Sequence, residues 1–325
     1  MKTFHDMYEE LKVAESQELG NVWKEANEEK RKNSRISLLI CLIVDILLIK
    51  LFFNPSMTQM NSVFGFNIFR SICTLIPIIA IDFIIYAGLN LAMGKKQREY
   101  AKIYKNTIIN KMIGNFYTNL EYFPEKEMPK YIYEEPNYNE SYNRYSSDDY
   151  FEAQINYNNS IQMAEVETVR EETRRDSDGK THTTRTQIFH GLFAKILLDK
   201  SINSELKILL NGSMFFNKKR LNMDSSEFEK YFDVQASNPI IGMQILTADV
   251  MQELVDFQNK TNMKYDVVIN NNTLYLRFHC GSMFEPRNIK NGAINKEELE
   301  KYFYMLNFTY NLSNKIINTV NETEI

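Results

Sequence analysis

Two long apolar runs near the N-terminus constrain this chain more than any other feature. The first, Ile36 to Phe53, is broken by Asp45 and Lys50, and the second, Ile72 to Leu91, carries Asp82 as its one charged residue. As α-helices rising about 1.5 Å per residue, they extend about 27 and 30 Å, the thickness of a bilayer's hydrocarbon core. Neither shows the polar stripe of a helix packed on a soluble core, so both are expected to span a membrane. The first run starts too far into the chain for a cleaved signal peptide and is soon followed by the second, which favours a permanent hairpin.

Orientation follows from the flanks. Lys30, Arg31, Lys32 and Arg35 precede the first run, Lys95, Lys96, Arg98, Lys102 and Lys105 follow the second, and 54–65 between them carries no charge. The positive-inside rule then places both termini in the cytoplasm and the chain in the cell membrane. Asp45 and Asp82 stand nine residues from the cytoplasmic ends of their runs, which sets both near the midplane. Carboxylates at that depth face a partner helix or water, so these two are the intramembrane polar candidates, for assembly or for an ion or proton path.

The expected organisation is an amphipathic cytosolic helix over 1–35, spans over 36–53 and 72–93 around a short extracytoplasmic loop (54–71), a stalk helix over 94–119, a Tyr/Pro-rich linker over 120–150, and a cytosolic domain over 151–325. Phe4, Met7, Tyr8 and Leu11 recur at helical spacing, as do Tyr100, Tyr104, Ile108, Met112 and Phe116. Pro124, Pro129 and Pro136 mark the linker. Strands are expected at 151–158, 161–173, 183–198, 205–210, 232–236, 265–270 and 273–280, with a tight turn at Asp178-Gly179. Helices are expected after Asp224, Thr247 and Asn295, each of which can cap a start. Strands and helices that do not alternate as βαβ units give an α+β fold with a mainly antiparallel sheet, preceded by the two-helix transmembrane hairpin and its stalk.

Ile188-Phe-His-Gly-Leu-Phe193, Ser226-Glu-Phe-Glu-Lys-Tyr-Phe-Asp-Val234, Ile245-Leu-Thr247 and Phe284-Glu-Pro286 resemble, in order and spacing, the signatures of the bacterial Domain of Unknown Function 3137 family. The resemblance runs from about Ser147 to Pro286. It implies a domain preceded by a two-span leader and implies no activity.

No P-loop, dinucleotide fingerprint, zinc spacing or nucleophile elbow is present, so no catalytic, cofactor-binding or metal residue is assigned. The scattered cysteines Cys41, Cys73 and Cys280 fit a reducing compartment. His279 and Cys280 are strand neighbours facing opposite ways, His190 reads as a packing residue, and Glu285 as a structural clasp on a backbone amide. With 38 basic against 42 acidic residues mixed along the chain, no nucleic-acid footprint is expected. The function expected is a membrane-anchored binding or scaffold module. The alternatives are a channel or transporter subunit using Asp45 and Asp82, and an enzyme without a recognisable motif. Expected partners are the lipid bilayer, a further copy joined through the hairpin, and a protein bound by the cytosolic domain.

Overall fold

The computed structural model describes residues 1–52, 86–88, 94–176, 178–211, 220–286 and 294–322, and of 47–52 the backbone alone. They fall in two compact units. One comprises Met1–Val13, Lys105–Arg287 and Ile294–Ile325, the other Ala14–Tyr104 and Asn288–Ala293.

The second unit is helical among its described residues. After α1 (Phe4–Ala14) a wide π turn, Glu15–Leu19, leads into α2 (Gly20–Phe52), beside which lies α3 (Lys95–Tyr104). Lys96 ties the pair: its ammonium is 2.8 Å from Glu25, and its backbone N–H donates to Glu29 at 2.8 Å. Among the described residues no helix is long and apolar enough to cross a membrane. The first apolar run is helical as far as Phe52, whereas most of the second run, Asp82 included, lies outside the described residues.

The first unit is built on an eight-stranded sheet. Its strands are β1 (Thr118–Phe123), β2 (Arg144–Gln154), β3 (Ser160–Arg175), β4 (Thr181–Leu197), β5 (Glu205–Leu210), β6 (Phe232–Ala236), β7 (Tyr265–Asn270) and β8 (Thr273–Phe278). Their order is β1-β2-β3-β4-β8-β7-β5-β6 with every neighbour antiparallel. The α+β class with an antiparallel sheet therefore stands. Turn chemistry sets the hairpins: Gly179 (φ 78°) turns β3 into β4, and Asn271 (φ 53°) turns β7 into β8. β3 and β4 are much longer than their neighbours, so beyond Val169↔Gln187 they project as an exposed two-stranded ribbon.

The helices of this unit are α1, α4 (Asn110–Ile113), α5 (Lys130–Glu134), α6 (Ser226–Tyr231), α7 (Pro239–Ile245), α8 (Ala248–Thr261) and α9 (Lys296–Glu322). On one face of the sheet α8 and α9 close an aromatic core. Phe257 stacks on Phe308 at 4.0 Å between centroids, and Tyr265 and Phe278 meet Phe308 edge-on. Phe4 of α1 reaches Phe303 of α9 at 5.5 Å. The opposite face is covered by the chain between β1 and β2, where Met128, Ile132 and Tyr133 pack on Phe189, Phe193 and Tyr275.

That second cover corrects the expectation of a linker over 120–150. The segment supplies most of β1, α5 and the start of β2, because its tyrosines have an apolar sheet face to lie on. The stalk helix likewise ends at Ile113, short of 119, where the chain turns into β1. Two of the three cap expectations hold and one shifts by a residue. Thr247 caps α8 and Asn295 caps α9, but α6 is capped by Ser225, not Asp224. The helix at Pro239–Ile245, started by the Asn238 side chain, has no counterpart among the expected elements.

Candidate functional site

In a regular strand Asp148 and Asp149 would point to opposite faces. A bulge in β2 between Asp148 and Phe151, with Asp149 at φ 52°, breaks that alternation. Asp148 stands directly opposite Glu165 of β3, and one carboxylate oxygen from each of Asp148, Asp149 and Glu165 comes within 4.8 Å of the others. Asp149 and Glu165 are buried, at 0% and 4% exposure, while Asp148 is partly open.

Neighbouring groups offset part of this charge. Lys105, in the wide turn Lys105–Ile109, places its ammonium 2.7 Å from Asp149 and also pairs with Glu285. The Tyr122 hydroxyl donates to Asp149. Glu165 Oε1 accepts the backbone N–H groups of Met283 and Phe284 at 2.5 and 2.6 Å. One lysine against this many carboxylates is too little. Burial pushes the Glu165 carboxyl up to about 7 against the pull of those N–H groups, and Asp149 up to about 6 against that of Lys105. Asp148 is also raised by burial. Burial alone would lower the Lys105 ammonium, but Asp149 and Glu285 hold it above its ordinary value. The Lys105 ammonium occupies one oxygen of Asp149, and the close approach of the Asp148, Asp149 and Glu165 oxygens suits either a shared proton or a cation.

A cleft of about 200 Å³ opens over these groups, walled by Ser146, Asp148, Glu165, Glu167, His190 and Ser282. His190 Nε2 lies 3.1 Å from Ser282 Oγ, a pairing that in a hydrolase would activate the hydroxyl. Its polarity is the reverse of what that chemistry needs. The Gln187 amide nitrogen donates both to Glu167, at 2.9 Å, and to His190 Nδ1, at 3.2 Å. With Nδ1 accepting, Nε2 carries the proton and donates to Ser282, so the imidazole is not free to take the hydroxyl's proton. In this arrangement His190 serves Ser282 as a hydrogen-bond donor.

A second polar cluster lies on the opposite face. Arg277, 3% exposed, meets Asp266 through Nε and Nη2 at 2.8 and 2.6 Å and Glu140 through Nη1 at 2.7 Å, and it lies 3.7 Å from the centre of the Tyr138 ring. His279 Nε2 is 3.2 Å from Asp266. Burial pushes the Asp266 carboxyl up, but His279 and Arg277 outweigh it and hold the group below its ordinary range. This network fastens the cover segment to the sheet.

Of the residues singled out from sequence, Asp45 lies half-buried on α2 and Asp82 is outside the described residues. His190, expected as packing, is a cleft wall. Glu285 pairs with Lys105, and the clasp on backbone amides expected of it is made by Glu165 instead. Cys280 Sγ donates to the Phe278 carbonyl at 3.4 Å and His279 binds Asp266, so the two neighbours serve separate contacts. The acids of β2 and β3 were missed. The signal was present in Asp148-Asp149, two adjacent acids ending a polar run just before Tyr150-Phe151, and in Glu165 among apolar neighbours.

No curated protein matches this sequence. Among solved structures, the crystal structure of the mycobacterial trehalose monomycolate transport factor A is similar over 66% of this chain and 94% of that one, with 7% identity and a TM-score of 0.31, a likeness too remote to carry fold or function across. Residues 187–317, from the outer part of β4 to α9, match the family described as Protein of unknown function (DUF3137), which supports the resemblance to that family over this part of the chain.

Proposed function

We propose that this chain is a membrane-anchored binding module whose sheet domain presents recognition surface beside a bilayer. The observation that carries the reading is on α2: Leu38, Leu39, Leu42, Ile43 and Ile46 are 47–61% exposed, an aliphatic surface within the first apolar run that lipid would cover. The second apolar run and the lysine-rich flanks support the hairpin topology. The reversed polarity of the His190–Ser282 pair favours binding over hydrolysis at the cleft.

Two measurements test the parts separately. The full-length chain should resist carbonate extraction, and a cysteine placed at residue 60 should react with an impermeant maleimide in intact cells. A chain that washes free, or a site that stays unlabelled, defeats the anchor. For recognition, photo-crosslinkers at Thr184 on the ribbon and Ser146 on the cleft rim should give a discrete adduct at one position or at both. Adducts at neither position, with the chain shown to be membrane-inserted, would defeat the binding reading while leaving the anchor standing.

A further inference from the structure

The chain leaving β8 crosses back over the sheet as a short strap, Gly281–Pro286, and its polar attachments converge on the acid set. Gly281 N–H donates to the His190 carbonyl at 3.1 Å, and Ser282 Oγ meets the His190 ring at 3.1 Å. Met283 and Phe284 give their N–H groups to Glu165, and Glu285 takes Lys105. Phe284 is fully buried and meets Tyr302 of α9 edge-on at 5.8 Å, so the strap is held from below by an apolar pin and from the side by ionisable groups.

We propose that this strap is a proton-set latch: it seats against the sheet while Asp148, Asp149 and Glu165 share a proton, and it loosens when that proton leaves. The titratable groups around Glu165 are Asp148 and Asp149 from β2, Glu167 from β3, His190 from β4, the neutral Tyr122 from β1, Lys105 from the wide turn and Glu285 from the strap itself. Lys105 is the one permanent cation among them. With all the acids ionised, three carboxylates held within 4.8 Å repel one another more than one ammonium offsets. Lifting the strap admits water to Glu165 and relieves that repulsion, so the fully ionised state favours the lifted strap. Because Ser282 forms a wall of the cleft, the proton also sets the width of the cleft mouth. The device needs no ligand and stands whatever the domain binds.

The sign of the effect follows from which state holds the proton more tightly. Burial under the strap raises the Glu165 carboxyl from 4.5 to about 7 and Asp149 from 3.8 to about 6, so seating is strongest on the acid side and weakens as pH climbs through that interval. Hydrogen exchange of the Met283 and Phe284 amides, in the full-length chain in detergent, reads this directly. After correction for intrinsic exchange and against the central-strand amide of Leu276, their protection should fall about tenfold or more between about pH 5 and 7, then level off. Glu165→Gln keeps an oxygen to accept both N–H groups and should flatten the profile. If that variant fails to fold, Asp148→Asn, on the open side of the set, should shrink the fall. A wild-type profile that is flat or rises with pH would overturn the latch, as would the same slope in the variants. So would millimolar calcium or magnesium restoring protection at about pH 8, since the set would then be answering a metal ion and not a proton.

Discussion

Arg277 shows how much one side chain can hold in place. It neutralises Asp266 and Glu140 together and carries the Tyr138 ring over its guanidinium, all at positions largely closed to water. Arg277→Ala would leave buried carboxylates uncompensated and should destabilise the domain by about 3–5 kcal/mol, measured as a shift in urea midpoint. Replacing the pair by apolar residues of similar volume should recover much of that loss. At the acid set ionisation acts with the opposite sign. Because Glu165 and Asp149 bind protons more tightly folded than unfolded, stability should decline as pH rises from about 4.5 to 7, and Glu165→Gln should show a shallower decline in denaturant melts.

At the scale of elements, the contact between β4 and the end of β8 depends on one missing side chain. A Cβ on Gly191 would lie 1.8 Å from the Phe278 carbonyl oxygen and 2.8 Å from the Cys280 nitrogen, both backbone atoms with no freedom to yield. Gly191→Ala should therefore cost on the order of 4 kcal/mol or prevent folding, readable by circular dichroism and thermal melting. The sequence marks this glycine as a bulge or a close approach, and the structure selects the approach. Helix starts are legible in the same local way, since Thr247 and Asn295 cap the helices expected of them. By contrast α7 was not legible, because its short apolar stretch Ile240–Ile245 has neither the length nor the periodicity to separate helix from strand. Asn238→Ala, which removes its cap, should cost about 1 kcal/mol.

Across the whole sheet domain, burial is concentrated on two faces, and the β3–β4 ribbon lies beyond both. Removing Arg174–His182 and joining Thr173 to Thr183 through Asn-Gly should leave the domain's melting temperature within a few degrees of the parent, because the excised rungs bury no apolar surface. Loss of the fold on that deletion would mean the ribbon contributes packing that its exposure does not suggest.

What the sequence decided by itself was what is local or periodic. Short strand-forming runs located β5, β6 and β7 to the residue, Asp178-Gly179 placed the turn between β3 and β4, and Thr247 and Asn295 placed the starts of α8 and α9, because each signal acts within a few residues of where it is written. The acid site was decided only in three dimensions. Asp149 turns inward because β2 bulges, Glu165 is buried because residues more than a hundred positions later lay their amides on it, and Lys105 answers both from a turn that precedes the sheet. Charge repulsion and desolvation depend on distance in space, so a set assembled from five separate stretches of chain has no spacing from which it could have been read.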